Sequence, residues 1–357
     1  MIPVSVLTGF LGSGKTTVLA HLLRQPEFSR TAVLINEFGE VGLDHELVAA
    51  SDDSFIELQT GCLCCRLRND VAETLVDMLR RRDRGALPPF DRIVIETSGL
   101  ADPAPILQTL MTEPQIAGRL ALGGVIATVD AVNGARTLAR EEISARQVAF
   151  ADRLVLTKID LAGAVEPALL DRLAALNAAA PRLQAECGKV DPGRLFDADL
   201  YDAGKKSLDV RAWLAEAADA HERVHDRHDA EITTFALVRE APIPAVALAL
   251  FLEALAGHCG ADLLRLKAIV QVAEYPERPA VLHGVQHVFH APAWLERWPS
   301  EDRRSRLVFI TRRIPRGWVA ALLAALEWEV GELQSNSATP RNLGDRPGSR
   351  AGAIRDP

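Results

Sequence analysis

Short runs of β-branched and aliphatic residues alternate with longer amphipathic stretches from the N-terminus to about residue 190. The apolar runs at Val4–Thr8, Ala32–Asn36, Phe55–Leu58, Arg92–Glu96, Leu120–Val129 and Arg153–Thr157 predict strands. Residues Asp70–Arg84 and Pro167–Ala178 carry helical spacing, as do Val18, Leu19, Leu22 and Leu23. Strands in near-continuous apolar runs, separated by helices, predict a mostly parallel sheet covered on both faces. A ligand of such a sheet binds at the carboxyl ends of its strands.

The pattern changes after that. Val210, Trp213, Leu214 and Ala217 predict one more helix over 205–219, and the polar stretch at 220–231 reads as a linker. A smaller α/β domain is predicted over 232–330. Its strands are expected at Thr233–Leu237, Leu264–Val272, Ala280–Val288 and Arg306–Ile310, and its helices at Ala245–Ala256 and Arg316–Glu327. From Gly331 to Pro357 the chain is rich in Ser, Asn, Gly, Pro and Arg, which predicts a disordered tail. The expected domains are thus 1–219, a linker at 220–231, 232–330, and the tail.

The chain has 357 residues, enough for two domains, and a formal net charge of −8, which gives no support to a nucleic-acid-binding surface. No apolar stretch is long enough to span a bilayer, so no membrane partner is expected. The first apolar run has no basic region before it, which argues against a signal peptide. Three of the five cysteines fall within four residues, a clustering that points to metal or redox chemistry in a cytoplasmic setting.

Five motifs stand at the predicted strand ends. The first is GFLGSGKTT at residues 9–17, which meets G-x-x-x-x-G-K-[ST] through Gly9, Gly14, Lys15 and Thr16. Backbone N–H groups of such a loop, with a helix N-terminus behind it, cradle phosphate oxygens. Lys15 reaches the β/γ-phosphates and the Thr16 hydroxyl ligates Mg²⁺, which sets the ligand class as a nucleoside triphosphate. The second is TKID at Thr157–Asp160. A carboxylate at Asp160 accepts from guanine N1–H and its 2-amino group, and adenine leaves it unpaired. The Lys158 stem lies on the base face. The commoner motif begins with Asn, so Thr157 lacks the amide; the bland reading of Asp160 is a helix N-cap.

The third motif is ETSGLADP, Glu96–Pro103. Glu96 at a strand end can hold Mg²⁺ through water, and Gly99 permits a backbone N–H to approach the γ-phosphate and to move when it leaves. The fourth, NEFGEVGLD at Asn36–Asp44, combines two glycines and three acids and suits a nucleotide-sensing switch; its bland reading is an ordinary acidic loop. The fifth is GCLCC, where Cys62, Cys64 and Cys65 supply three thiolates for Zn²⁺, Cu⁺ or a related ion. Three thiols fall short of a four-ligand structural site, which suggests an open or transferable one completed by Glu37, Glu40, a His, water or a partner. Cys62 and Cys64 share a side of an extended chain and Cys65 does not, so the loop must turn for all three to bind one ion. Cys187 and Cys259 stand alone and are expected to be buried, reduced core residues. His221, His225 and His228 on the linker divide evenly between collecting metal and ordinary polar roles. His283 and His287 are expected on one strand face and, with His290, in structural or surface roles.

Together these motifs resemble the CobW-type metallochaperone GTPases, relatives of the nickel chaperones of urease and hydrogenase maturation. LLRLKAIV at 263–270 and SRLVFI at 305–310 extend the resemblance into the second domain. It implies a P-loop GTPase domain followed by the CobW C-terminal domain. It also implies phosphate and Mg²⁺ binding by Gly12, Ser13, Gly14, Lys15, Thr16 and Thr17, and guanine binding by Thr157, Lys158 and Asp160. Cys62, Cys64 and Cys65 would hold the cargo, with Glu37 and Glu40 nearby, and Asp44 would help position the attacking water. The expected activity is hydrolysis of GTP to GDP and phosphate. The cargo would be Zn²⁺ or Co²⁺, delivered to a client metalloprotein in zinc homeostasis, cobalamin synthesis or metalloenzyme activation. The resemblance also allows a nucleotide-dependent homodimer. Two other readings compete: a nucleotide-controlled metal buffer or sensor without directed delivery, and a P-loop kinase with structural cysteines.

Overall fold

The run Ile2–Gly9 forms β1, and it lies inside an eight-stranded sheet because both of its faces are apolar. The computed structural model describes residues 1–36, 55–57, 63–66, 71–196 and 231–338. The other strands of this sheet are β2 (Thr31–Asn36), β3 (Phe55–Glu57), β4 (Leu63–Arg66), β5 (Arg92–Thr97), β6 (Leu120–Asp130), β7 (Arg153–Thr157) and β8 (Arg182–Gln184). Their order is β3-β4-β2-β5-β1-β6-β7-β8, parallel throughout except for the antiparallel β3–β4 pair.

The alternation of side chains along a strand divides the core in two. Val4 and Val6 of β1, Ala32 and Leu34 of β2, and Ile93 and Ile95 of β5 point to one face. There they meet α2 (Val71–Asp83), α3 (Ala104–Thr112), α4 (Gly134–Arg140), α5 (Glu142–Phe150) and α7 (Pro167–Leu176). Leu7, Val33, Ile35 and Val94 point to the other face, against α1 (Lys15–Leu23) and α8 (Pro192–Phe196). A short helix, α6 (Ile159–Ala162), follows β7.

The second domain is built on an antiparallel sheet, with strands β9 (Ile232–Arg239), β10 (Leu263–Val270), β11 (Ala280–Val285), β12 (Val288–Phe289), β13 (Ala293–Trp294) and β14 (Ser305–Arg312). The order is β12-β11-β10-β14-β9, with β13 paired to β11. Helices α9 (Ala245–Cys259) and α10 (Arg316–Ala338) cover one face, where Phe251, Leu255, Val319 and Leu323 pack on Phe235, Leu266 and Phe309. The opposite face turns toward the first domain. Ile232, Leu264, Val285 and Ile310 join the first domain's own core. Among the described residues no helix is long and apolar enough to cross a membrane.

Four expectations are corrected here. The GCLCC motif was expected at a strand end, but Leu63–Arg66, with Cys64 and Cys65, is itself a strand, paired with β2 and β3. The run expected as one strand over Ala280–Val288 is a hairpin, in which Val285 pairs with Val288 across Gln286 and His287. Gln286 takes a positive φ of 53°, which no glycine or asparagine announces in the sequence. His287 therefore sits in a turn and does not share a strand face with His283. Helix α10 runs past Glu327 and through 331–338, the start of the expected tail. Its buried Val330 docks the helix, Glu332, Leu333 and Gln334 propagate it, and it ends just before Pro340. The expected helix at 205–219 and linker at 220–230, with His221, His225 and His228, lie outside the described residues.

One buried carboxylate ties the domains together. Asp152, just before β7, is paired with Arg265 at 2.8 Å and Lys267 at 2.6 Å, both on β10. Its second oxygen accepts from the Val125 N–H at 2.8 Å. Burial alone would push the Asp152 carboxyl up, but the Arg265 and Lys267 cations and these hydrogen bonds outweigh it and hold the group below the usual carboxylate range. Neighbouring contacts extend the seam: Thr234 Oγ1 donates to the Leu176 carbonyl at 2.8 Å, and Gln108 Nε2 to Gln286 Oε1 at 2.7 Å.

Replacing Asp152 by Asn leaves two buried cations without their counter-charge, and we expect a loss of about 3–5 kcal/mol in denaturant unfolding. The stabilisation from this depressed carboxyl is complete above its unfolded pKa of about 4 and is lost as the pH falls through its lower folded value. The stability gap between wild type and Asp152→Asn should therefore stay constant at neutral pH and narrow only in acid below about pH 4.

Candidate functional site

The carboxyl ends of β1, β5, β6 and β7 meet along one edge of the first sheet, and strand register decides which side chains touch there. Gly9 at the end of β1 faces Thr128 of β6, and Leu7 faces Glu96 of β5. A Cβ at Gly9 would stand 2.3 Å from Thr128 Oγ1 and 2.6 Å from its carbonyl oxygen, so only glycine fits there. Gly9, Gly12 and Gly14 all have positive φ (141°, 69° and 90°), which bends the chain into a loop ahead of α1.

The Lys15 side chain is buried and folds back over the loop, donating to the Gly9 carbonyl at 3.0 Å and the Phe10 carbonyl at 3.3 Å. Ser13 Oγ and Thr128 Oγ1 are 2.6 Å apart. The Thr16 hydroxyl donates to Glu96 Oε1 at 2.6 Å. Glu96 is wholly buried at its strand end, so a carboxylate stands directly behind the hydroxyl expected to ligate a cation. The positive φ of the loop glycines, the ammonium over the loop and this hydroxyl–carboxylate pair fit a triphosphate with Mg²⁺.

TKID lies one strand over. The buried Thr157 hydroxyl donates to the Ser13 carbonyl at 2.6 Å, so it spans from the guanine motif to the phosphate loop. It was expected among the base-binding residues; in the fold its hydroxyl turns toward the phosphate loop. Lys158 takes a left-handed φ of 57°, and its ammonium pairs with Asp130 Oδ2 at 2.9 Å. Burial works against the Asp130 charge, but its bonds to Lys158, Asn133 and the Val132 N–H prevail and lower its pKa. Asp160 is exposed, and its Oδ1 accepts from the Cys187 N–H at 3.2 Å.

Three residues of this edge, Thr128, Asp130 and Gly188, were not singled out from the sequence, and a fourth, Cys187, was expected in the core. Cys187, expected to be buried, is exposed and left-handed (φ 48°) in the turn after β8. The neighbouring Gly188 approaches Thr17 so closely that a Cβ would lie 2.8 Å from the Thr17 carbonyl oxygen. A signal was available for all four. Each lies near or just beyond the carboxyl end of a strand of the same sheet, and such ends gather at the ligand edge.

The ETSGLADP loop leaves β5 and passes beside the phosphate loop. At Gly99 a Cβ would stand 2.7 Å from the Leu11 nitrogen and 2.8 Å from its Cα. The metal-binding expectations are less accessible. Glu37, Glu40, Asp44 and Cys62 lie outside the described residues. Cys64 and Cys65 are backbone partners of Val33 and Leu34 in β4. Among the described residues no three His, Cys, Asp or Glu side chains gather as a metal site. His283 is buried on β11, beside Lys267 of β10. A cavity of about 260 Å³ lined by His21, Gln184, Lys189 and Arg194 shares no residue with the motifs.

Residues 3–184 match the family described as "CobW/HypB/UreG, nucleotide-binding domain", and residues 232–327 match "Cobalamin synthesis protein cobW C-terminal domain". The chain is 35% identical to the zinc chaperone YjiA of Escherichia coli over 325 residues, covering 91% of this chain and 98% of that protein. It is 29% identical to the zinc chaperone CobW of a Sinorhizobium species, covering 87% of this chain and 92% of the relative. It is 32% identical to the zinc-regulated GTPase metalloprotein activator 1 of Schizosaccharomyces pombe, covering 61% of this chain and 54% of that protein. The crystal structure of Zn(II)-bound YjiA GTPase superposes with a TM-score of 0.71 at 33% identity, covering 91% of this chain and 98% of that one.

Thr157→Val removes the hydroxyl and leaves the buried Ser13 carbonyl without that donor. We expect GDP to bind about tenfold more weakly, measured by titration of a fluorescent analogue, with little change in secondary structure.

Proposed function

The chain belongs to the CobW/HypB/UreG family of P-loop GTPases, and on that footing we propose how its residues run a metallochaperone cycle. The protein hydrolyses GTP to GDP and phosphate and acts as a GTP-dependent metallochaperone. The carrying observation is the 2.6 Å bond between Thr16 and Glu96, which joins the phosphate loop to the ETSGLADP loop at the point where a γ-phosphate arrives.

Gly12 to Thr17 hold the phosphates, and Lys15 moves from the loop carbonyls to the β/γ-oxygens. Thr16 would hold Mg²⁺, with Glu96 behind it, and the ion would supply charge neutralisation at the phosphates. Asp160 reads guanine, supported by the Cys187 N–H, and Lys158 is steered over the base by Asp130. The Gly99 N–H meets the γ-phosphate. Asp44 positions the attacking water.

Zinc is the cargo that best fits, since relatives at 35% and 29% identity are named zinc chaperones and thiolates suit that ion. Cobalt is the alternative. Cys62, Cys64 and Cys65 hold it, with Glu37 or Glu40 as a further ligand. GTP orders the first switch and tightens the site; hydrolysis releases it to a client metalloprotein. Position in the sheet supports this coupling, because β4 pairs directly with β2, which leads into the switch. Coupling of this kind is reciprocal, so bound metal also changes the affinity for GTP.

Two outcomes follow. Asp160→Asn exchanges an acceptor for a donor, so affinity should pass from guanine to xanthine nucleotides, whose C2 carbonyl accepts; each direction is expected to change by at least tenfold. Zn²⁺ affinity, measured by chelator competition, should be tighter with Mg²⁺-GTP than with Mg²⁺-GDP, and the difference should vanish in Cys64→Ala. Equal affinity in both nucleotide states would overturn directed delivery and favour a buffer or sensor.

A further inference from the structure

The loop that carries Gly99 is gripped from behind by one helix, α5. Gln147 of α5 is 1% exposed, and its Nε2 donates to two backbone carbonyls of the loop, Gly99 and Ala101, each at 3.1 Å. The preceding residue, Arg146, pairs with the Asp102 carboxylate at 2.5 Å. Three of the four residues from 99 to 102 are thereby fastened to two adjacent side chains. In front, the Gly99 backbone is pressed against Leu11 of the phosphate loop so closely that no Cβ fits.

The chemistry of residue 147 is specific. A side-chain amide carries two N–H donors and no charge, so it can serve two carbonyls inside a buried site. A carboxylate of the same size offers only acceptors once ionised. The carbonyl of Gly99 fixes the peptide that follows this glycine, the residue type with the greatest backbone freedom. The platform itself is held. On its far side α5 packs against β10 of the second domain, and Glu142 pairs with Arg312 at 3.0 Å.

We propose that Gln147, assisted by Arg146, is a positioning residue for GTP hydrolysis: it sets the Gly99 backbone against the phosphate loop so that its N–H meets the γ-phosphate. The proposal rests on the reading of Gly99 given above. The role of Gln147 is exerted through the loop carbonyls it holds.

The test uses the full chain and three variants, Gln147→Leu, Gln147→Glu and Gly99→Ala. The measurements are kcat and KM for GTP, and affinities for GDP and a non-hydrolysable GTP analogue. Gln147→Leu is expected to lower kcat about tenfold and to weaken the analogue by a similar factor, with GDP affinity unchanged, because GDP has no γ-phosphate to misplace. Gln147→Glu keeps the volume and gives a pH signature. Protonated, it still donates to one carbonyl; ionised, it repels both, so its rate should fall with rising pH where wild type does not.

Wild-type kcat and an unchanged analogue-to-GDP affinity ratio in both Gln147 variants would overturn the proposal. Equal weakening of GDP and analogue would do the same, since that marks general damage to the fold. Gly99→Ala separates the two levels. If it hydrolyses GTP normally, the reading of Gly99 itself is wrong. If it is impaired while the Gln147 variants are normal, only the role of Gln147 falls.

Discussion

Parallel pairing on both sides of β1 is the constraint on which the site depends. A strand that hydrogen-bonds in parallel to β5 and to β6 must end where they end, so its loop opens beside theirs. The register then brings Gly9 beside Thr128, and Asp130 beside Thr157 at the next pair. Burial of both sheet faces enforces that register, because a one-residue slip would turn Val4 and Val6 into the layer that receives Leu7. The phosphate loop, the ETSGLADP loop and the guanine motif are thus placed by the apolar interior of the sheet.

Polar bonds then convert nearness into a shared edge. Ser13 to Thr128, Thr16 to Glu96 and Thr157 to Ser13 each join the phosphate loop or the start of α1 to the end of a neighbouring strand, and each is 2.6 Å. Their groups are largely buried, so leaving one unmet would cost about 1–3 kcal/mol, comparable with a sizeable share of a domain's stability. These bonds fix the loops relative to one another, which leaves substrate binding less loop entropy to overcome.

The second domain belongs to this arrangement. Its sheet gives one face to its own helices and the other to the GTPase core, where Asp152 pairs with Arg265 and Lys267. Asp152 immediately precedes the strand that ends in TKID, and α5 lies between β10 and the ETSGLADP loop. The ETSGLADP loop and the second domain thus lie against the same helix, α5. The GTPase fold and its C-terminal partner share an apolar seam, where Ile232, Leu264, Val285 and Ile310 join the first domain's core.

Much of this was legible in the chain. Alternation of apolar runs with helical stretches gave a parallel sheet, and the residue chemistry of GFLGSGKTT, TKID and ETSGLADP gave a nucleotide site at its edge, since both signals are local. Local signals stop at the identity of distant partners. Thr157 meets Ser13 across 144 positions, Arg265 meets Asp152 across 113, and Gln147 meets Gly99 across 48. Periodicity reports which side of an element is buried, and not what waits there. The hairpin at Gln286, the exposed turn at Cys187 and the run of α10 to Ala338 were hidden for the same reason. A left-handed residue other than glycine, or a helix carried on by a docked valine, is fixed by tertiary packing that outweighs local propensity. The sequence by itself determined the elements and the ligand class; only the tertiary structure decided which polar groups brace one another, because those pairings depend on the whole sheet's register.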